Sequence, residues 1–153
     1  MRLSQWQSVE MRWNDLADEH CSLSRSLAII GDRWTLLILR EAFLRVRRFD
    51  DFQARLGIAR RVLAERLAGL VDDGIFDKIA YQDRPVRYEY RLTEKGLGLY
   101  PVILSLVHWG DEWLADGRGA PMLHRHKGCG HDFRSVLRSE EHTSELQSLA
   151  YLV

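Results

Sequence analysis

Residues 47–73, RRFDDFQARLGIARRVLAERLAGLVDD, carry the reading that decides the fold. Phe49, Phe52 and Leu56 recur at i, i+3 and i+7, one face of a two-turn helix, and Gly57 suits its end. Ile58 and Ala59 make a short connection. A second helix is predicted from about Arg60 to Asp73, with Val62, Leu63, Leu67, Leu70 and Val71 as its buried stripe. Arg60, Arg61, Ala64, Glu65 and Ala68 lie largely off that stripe, and Arg66 flanks it. Two short amphipathic helices joined by a three-residue turn containing glycine make a helix-turn-helix. One feature runs against local electrostatics. The second helix opens on two guanidinium groups, at the end where unpaired N–H groups already carry partial positive charge.

Working outward, Leu23, Leu27 and Ile30 recur at helical spacing up to Gly31, which suits a C-cap. RWTLLILREAFL, Arg33–Leu44, is apolar nearly all round, as befits a helix in the middle of a small domain. After Gly74 the period changes to two, with Phe76, Lys78 and Ala80 against Ile75, Asp77, Ile79 and Tyr81. Beyond QDRP, Val86, Tyr88 and Tyr90 alternate with Arg87, Glu89 and Arg91. Alternation on both sides of a proline-containing break predicts a β-hairpin turning near Asp83 and Pro85. Thr93 is placed to cap a following helix, and Pro101 to kink the apolar run LGLYPVILSLVHWGDEWL or to split off its first turn. The sum is an α+β fold, mostly α: a winged helix-turn-helix with a two-stranded β-hairpin wing.

The 153 residues carry 22 basic and 22 acidic side chains, a balance that points to no strongly charged partner. The average hides a gradient. Arg33 to Gly96 holds 14 Lys and Arg against 10 Asp and Glu, and Arg45 to Arg61 holds six against two. A basic patch on this fold points to an anionic partner, double-stranded DNA. The second helix of such a motif sets its first residues against base edges in the major groove. Arg60 and Arg61 then meet phosphates or guanine edges, with Ala64, Glu65 and Arg66 on the same helix. Arg84 and Arg87 flank the hairpin tip, where a basic wing lies along the backbone or minor groove. Arg45, Arg47 and Arg48 precede the first motif helix and would hold flanking phosphates.

CSLSRSLAIIGDRWTLLILREAF, the motif segment through GIF, and RPVRYEYRLTEKG, ending at Trp109-Gly110, together resemble the HxlR-type transcriptional regulators, relatives of the MarR group. The likeness runs from Cys21 to about Gly110; its most specific parts are Gly31–Leu39 and Glu89–Gly96. It implies a homodimer built through terminal helices and a palindromic operator. A response of operator affinity to a small molecule or an oxidant is a further expectation of the regulator reading. Ala59, Arg60 and Arg61 depart from the family, which often has a capping residue and a lysine there; Ala59 is a poor N-cap. Cys21 falls where some members carry a redox-sensing thiol, usually followed by proline, whereas Ser22 follows it here. A sensor thiol must be exposed and of lowered pKa; otherwise Cys21 is a small buried hydrophobe.

Further along, HRHKGCGH holds His124, His126, Cys129 and His131, ligand types that suit zinc at a spacing matching no standard finger. In the resemblance this segment is half of a zinc-ribbon-like knuckle, and no cofactor is expected. RSEEHTSELQS, Arg138–Ser148, resembles the conceptual translation of a sequencing-library adapter, so the genuine chain is expected to stop near Leu137 or Arg138. The division expected is an extension over 1–20 that includes Trp6 and Trp13, a winged domain over 21–116 with no boundary before Gly117, a partial His/Cys tail over 117–137, and an artefactual tail over 138–153.

Two cysteines exclude a disulfide framework. Arg2, Glu10, Arg12 and Asp15 interrupt any leader-like apolar run, and no stretch has the ~18 apolar residues of a membrane span, so a cytoplasmic site without membrane contact is expected. No nucleophile–base constellation or phosphate loop argues for an enzyme. The alternative to a DNA-binding regulator is a winged helix used for protein–protein contact, which shares the fold and lacks sequence-specific DNA binding.

Overall fold

The computed structural model describes residues 16–18, 20–114, 124 and 128–132. In chain order come α1 (Ser22–Ile30), α2 (Arg33–Phe43), α3 (Phe49–Leu56), α4 (Arg60–Asp72), the antiparallel pair β1 (Phe76–Asp83) and β2 (Val86–Leu92), the short α5 (Glu94–Leu97), and α6 (Tyr100–Trp113). The chain divides into two compact units, one ending at Leu97 and the other beginning at Gly98. That division falls inside the stretch 21–116 drawn from the sequence as one domain. Nearly all of the N-terminal extension, with Trp6 and Trp13, and the whole of 138–153 lie outside the described residues.

The first unit packs α2, α3 and α4 around Ile38, Leu39, Phe52, Leu63, Leu67 and Leu70, closed by Ile75 and Phe76. The Phe52 and Phe76 rings tilt against each other at 6.5 Å, joining the motif to the hairpin root. Asp32 starts α2: its Oδ1 accepts from the N–H groups of Trp34 and Thr35 at 2.9 and 3.2 Å, satisfying two donors that a helix start leaves unpaired. Glu41 is buried on α2, and its two oxygens accept from Arg40 and Arg55, whose side chains reach water. A buried carboxylate held by two cations is the tolerable way to place a charge inside.

Three helix ends use left-handed backbone, and α4 closes on Gly74 at φ 68°, with Ile75 N–H donating to Leu70 O at 2.8 Å. Gly57 closes α3 at φ 61°, donating to the carbonyl of Gln53, as expected for a glycine C-cap. α2 ends differently. Val46 N–H donates to Glu41 O at 3.0 Å and Arg45 N–H to Ala42 O at 2.9 Å, the paired bonds of a Schellman motif. The left-handed position in that motif, φ 68°, is Arg45 rather than glycine, at a cost of about 1 kcal/mol.

β1 and β2 pair from Phe76↔Leu92 to Asp83↔Val86, with a bulge between Ala80 and Gln82, and turn at Arg84-Pro85. Only Phe76 of β1 is buried. The two-residue alternation in this segment therefore sorts side chains onto the two faces of an exposed ribbon and does not mark a core strand. Thr93 caps α5 as expected. Its Oγ1 accepts from Gly96 N–H at 3.1 Å and donates to the carbonyl of Gly74 at 2.7 Å, tying the strand end to the loop after α4. Gly96 itself lies so close to the carbonyl of Ile75 that a Cβ would overlap it.

In the second unit Pro101 sits in the first turn of α6, so the apolar run splits and does not kink. Ile103 and Leu104 are buried, whereas Val102, Leu106, Trp109 and Trp113 are exposed. The His108 and His124 rings meet edge to face at 5.1 Å. His126 lies outside the described residues. Cys129 and His131 are exposed, and among the described residues no three His, Cys, Asp or Glu side chains are grouped to hold a metal.

Candidate nucleic-acid interface

The apolar stripe of α4 faces the core, with Leu63, Leu67 and Leu70 buried and Val62 and Val71 half-buried, so helical geometry turns Arg60, Arg61, Ala64, Glu65 and Ala68 outward. All five are exposed; the Arg61 side chain is 90% exposed and that of Arg60 70%. Ala59 offers no side-chain cap, so the first N–H groups of α4 gain no partner from it.

The anomaly of two cations at that end has a local answer that the sequence reading lacked. Arg60 Nη1 lies 3.3 Å from Asp50 Oδ1 and its guanidinium stacks 4.7 Å from the Phe49 ring centroid. Arg61 Nε lies 2.8 Å from Glu65 Oε1, one turn on, and that hydrogen bond raises the Arg61 pKa. Both pairs sit in water, where ion pairs are weak and readily exchanged for another anion. The carboxylates thus oppose the dipole mismatch without closing the surface.

A line of contacts joins α4 to the wing through the first turn of α3. Arg60 touches Phe49 and Asp50. Next in sequence, Arg48 stacks 4.5 Å from the Tyr81 ring and pairs with Glu89 at 3.6 Å, and a β-bridge links Arg48 to Glu89. The carbonyl of Arg47 accepts from Tyr90 N–H at 2.8 Å. Glu89 also accepts from Arg91 at 3.1 Å. That bond, with the nearby charges of Arg48 and Arg47, holds the Glu89 carboxyl below its ordinary range against the opposing effect of burial. The wing is therefore anchored to the motif at residues 47 and 48.

Arg84 and Arg87 are exposed at the hairpin tip, and neither side chain makes a hydrogen bond or ion pair among the described residues. Arg66 is placed differently from the other arginines of α4. Its Nε lies 3.1 Å from Asp32 Oδ1, the oxygen that caps α2, so it ties the two helices together. Arg45 and Arg47 are exposed beside the end of α2. Cys21 is exposed in the single chain, as the N-cap residue of α1. Sequence reading passed over Lys78 and Arg91, both exposed on the wing. Lys78 Nζ lies 4.4 Å from the Tyr88 ring centroid, and strand alternation flanked by arginines was the signal that could have flagged it.

Comparison with known proteins agrees with this geometry. A family model described as HxlR-like helix-turn-helix matches residues 29–118. An uncharacterised HTH-type transcriptional regulator of Mycobacterium tuberculosis is 50% identical over 109 residues, which is 71% of this chain and 69% of the relative. Among solved structures, PA1607, a candidate transcription factor, superposes with a TM-score of 0.75 at 32% identity, covering 82% of this chain and 88% of its own. The redox regulator HypR in its reduced form gives a TM-score of 0.56 at 30% identity, covering 60% of this chain and 92% of its own.

Proposed function

Because the chain belongs to the HxlR-like helix-turn-helix family, whose members are transcriptional regulators and not enzymes, we propose that it binds a palindromic operator as a homodimer in the cytoplasm. The observation that carries the reading is the exposed basic start of α4 joined through Arg48 to a projecting basic ribbon. Arg60 and Arg61 enter the major groove and exchange Asp50 and Glu65 for phosphate or guanine edges. Ala64 leaves room for a base edge, and Glu65, released from Arg61, accepts from a cytosine amino group. Arg84 and Arg87 follow the backbone or the minor groove, and Arg45, Arg47 and Arg48 hold flanking phosphates. Arg66, spent on Asp32, acts by holding α4 to α2.

Two apolar helix faces support the dimer. α1 exposes Leu23 and Leu27, and α6 exposes Val102, Leu106, Trp109 and Trp113 at spacings of four, three and four residues, one stripe of the helix. Exposure of Cys21 favours an oxidant over other signals, in line with the likeness to a protein named as a redox regulator. Loss of operator binding under a thiol oxidant is expected in the natural chain and its absence in Cys21→Ser; equal sensitivity of both would remove Cys21 from the reading.

The test of the function is selection of bound fragments from a random duplex pool at physiological salt. The expected product is an inverted repeat with half-sites about 10 base pairs apart. Arg60→Ala and Arg61→Ala should each weaken binding and reduce the salt slope by about one. Recovery of no common sequence would leave the protein–protein module as the better account.

A further inference from the structure

A cleft of about 320 Å³ opens beside the end of α2, between the segment leading to α3 and the second strand of the wing. Its apolar wall includes Phe43, Val46 and Leu92, and its charged wall is Arg45, Arg47 and Arg91. Among the described residues no carboxylate lines it. Arg91 is already bonded to Glu89 at 3.1 Å. The side chains of Arg45 and Arg47 make no hydrogen bond or ion pair among the described residues.

The cleft thus combines two guanidinium groups that make no hydrogen bond, Arg45 and Arg47, the second acting on Glu89 only through its charge, with an apolar surface. A bare phosphate would satisfy the cations and leave the apolar wall wet. A neutral hydrocarbon would cover the wall and desolvate the cations without a partner, which is costly. A ligand that answers both has one anionic end and one apolar end, and the volume falls at the lower limit of small-molecule sites. Arg45 adds a backbone argument. It occupies the left-handed position of the Schellman motif, where glycine is the easy choice, so the guanidinium is kept at this rim against a conformational cost.

We propose that this cleft binds a small organic carboxylate, its carboxylate between Arg45 and Arg47 and an apolar body of about ten carbons on Phe43, Val46 and Leu92. These are two of the three arginines read as outer phosphate contacts, so a filled cleft would also weaken operator binding. Only that consequence rests on the operator reading.

The test is calorimetric titration of the full chain, without DNA, with 2-naphthoate. Two further titrants are 2-naphthalenemethanol, which keeps the apolar body, and inorganic phosphate, which keeps the charge. The expected result is one site per chain for the carboxylate, with Kd on the order of 0.1–1 mM, at least ~10-fold tighter than either control. Arg47→Gln and Arg45→Gly should each weaken it about 10-fold. Glycine suits the left-handed backbone at position 45, so the fold is retained, and a melting temperature equal to or above that of the parent checks this. No binding, equal binding of the alcohol or of phosphate, or equal affinity in both variants would each overturn the proposal. None of these outcomes touches the operator reading, because no DNA is present.

Discussion

At the scale of single residues, the start of α4 shows how a locally unfavourable choice persists. Ala59 leaves donors without a cap, and Arg60 and Arg61 add positive charge to the same end. Asp50 and Glu65 offset this from outside, through exposed pairs. A capping side chain should therefore help the fold. Ala59→Ser is expected to raise stability by about 1 kcal/mol, read as a higher urea midpoint at unchanged slope. An unchanged midpoint would mean that the N–H groups of α4 are already satisfied. Arg66 makes the opposite point: sequence position placed it with its neighbours on α4, yet it serves Asp32 and the start of α2.

Among the elements, the wing uses charge to hold itself to the body. Its strands are exposed over most of their length, and little apolar burial holds it to the body. Arg48 pairing with Glu89 makes the link, and Arg91, on the same strand as Glu89, holds that carboxylate. Glu89 is held below the ordinary carboxylate range, chiefly by its hydrogen bond from Arg91. A folded pKa below the unfolded one means that its contribution is complete above the ordinary range, near 4.3, and is lost as pH falls through the lowered folded value. Melting temperature followed from pH 6 to about pH 3 should fall more steeply for the natural chain than for Glu89→Gln. Parallel curves would show that the pairing contributes nothing. The hairpin and its turn were legible from alternation and Pro85. The bulge between Ala80 and Gln82 was not, because one extra residue leaves no mark on composition.

At the scale of the whole molecule, the exposed apolar helix faces are the feature that calls for a partner. Trp109 is 56% exposed and Leu23 66%, more apolar surface than isolated side chains on a monomer require. Leu106→Glu with Trp109→Glu is expected to give a monomer in sedimentation at concentrations where the parent sediments as a dimer. Operator affinity should fall with it, since each half-site would then bind alone. A parent that sediments as a monomer would end the dimer proposal.

What the sequence determined by itself is the set of elements and their faces. Hydrophobic period, glycine at 57, threonine at 93 and proline at 101 are local signals, and each acts within a turn or two of its own position. Long-range partners were decided only in three dimensions. Arg48 meets Glu89 across 41 positions, Arg66 meets Asp32 across 34, and Arg55 meets Glu41 across 14. A charged side chain has several acceptors within reach, and which one it takes depends on where packing of the apolar core carries its helix. The same packing set Arg45 and Arg47 beside an apolar wall. No periodicity could disclose that, because the wall is built from two segments more than forty residues apart.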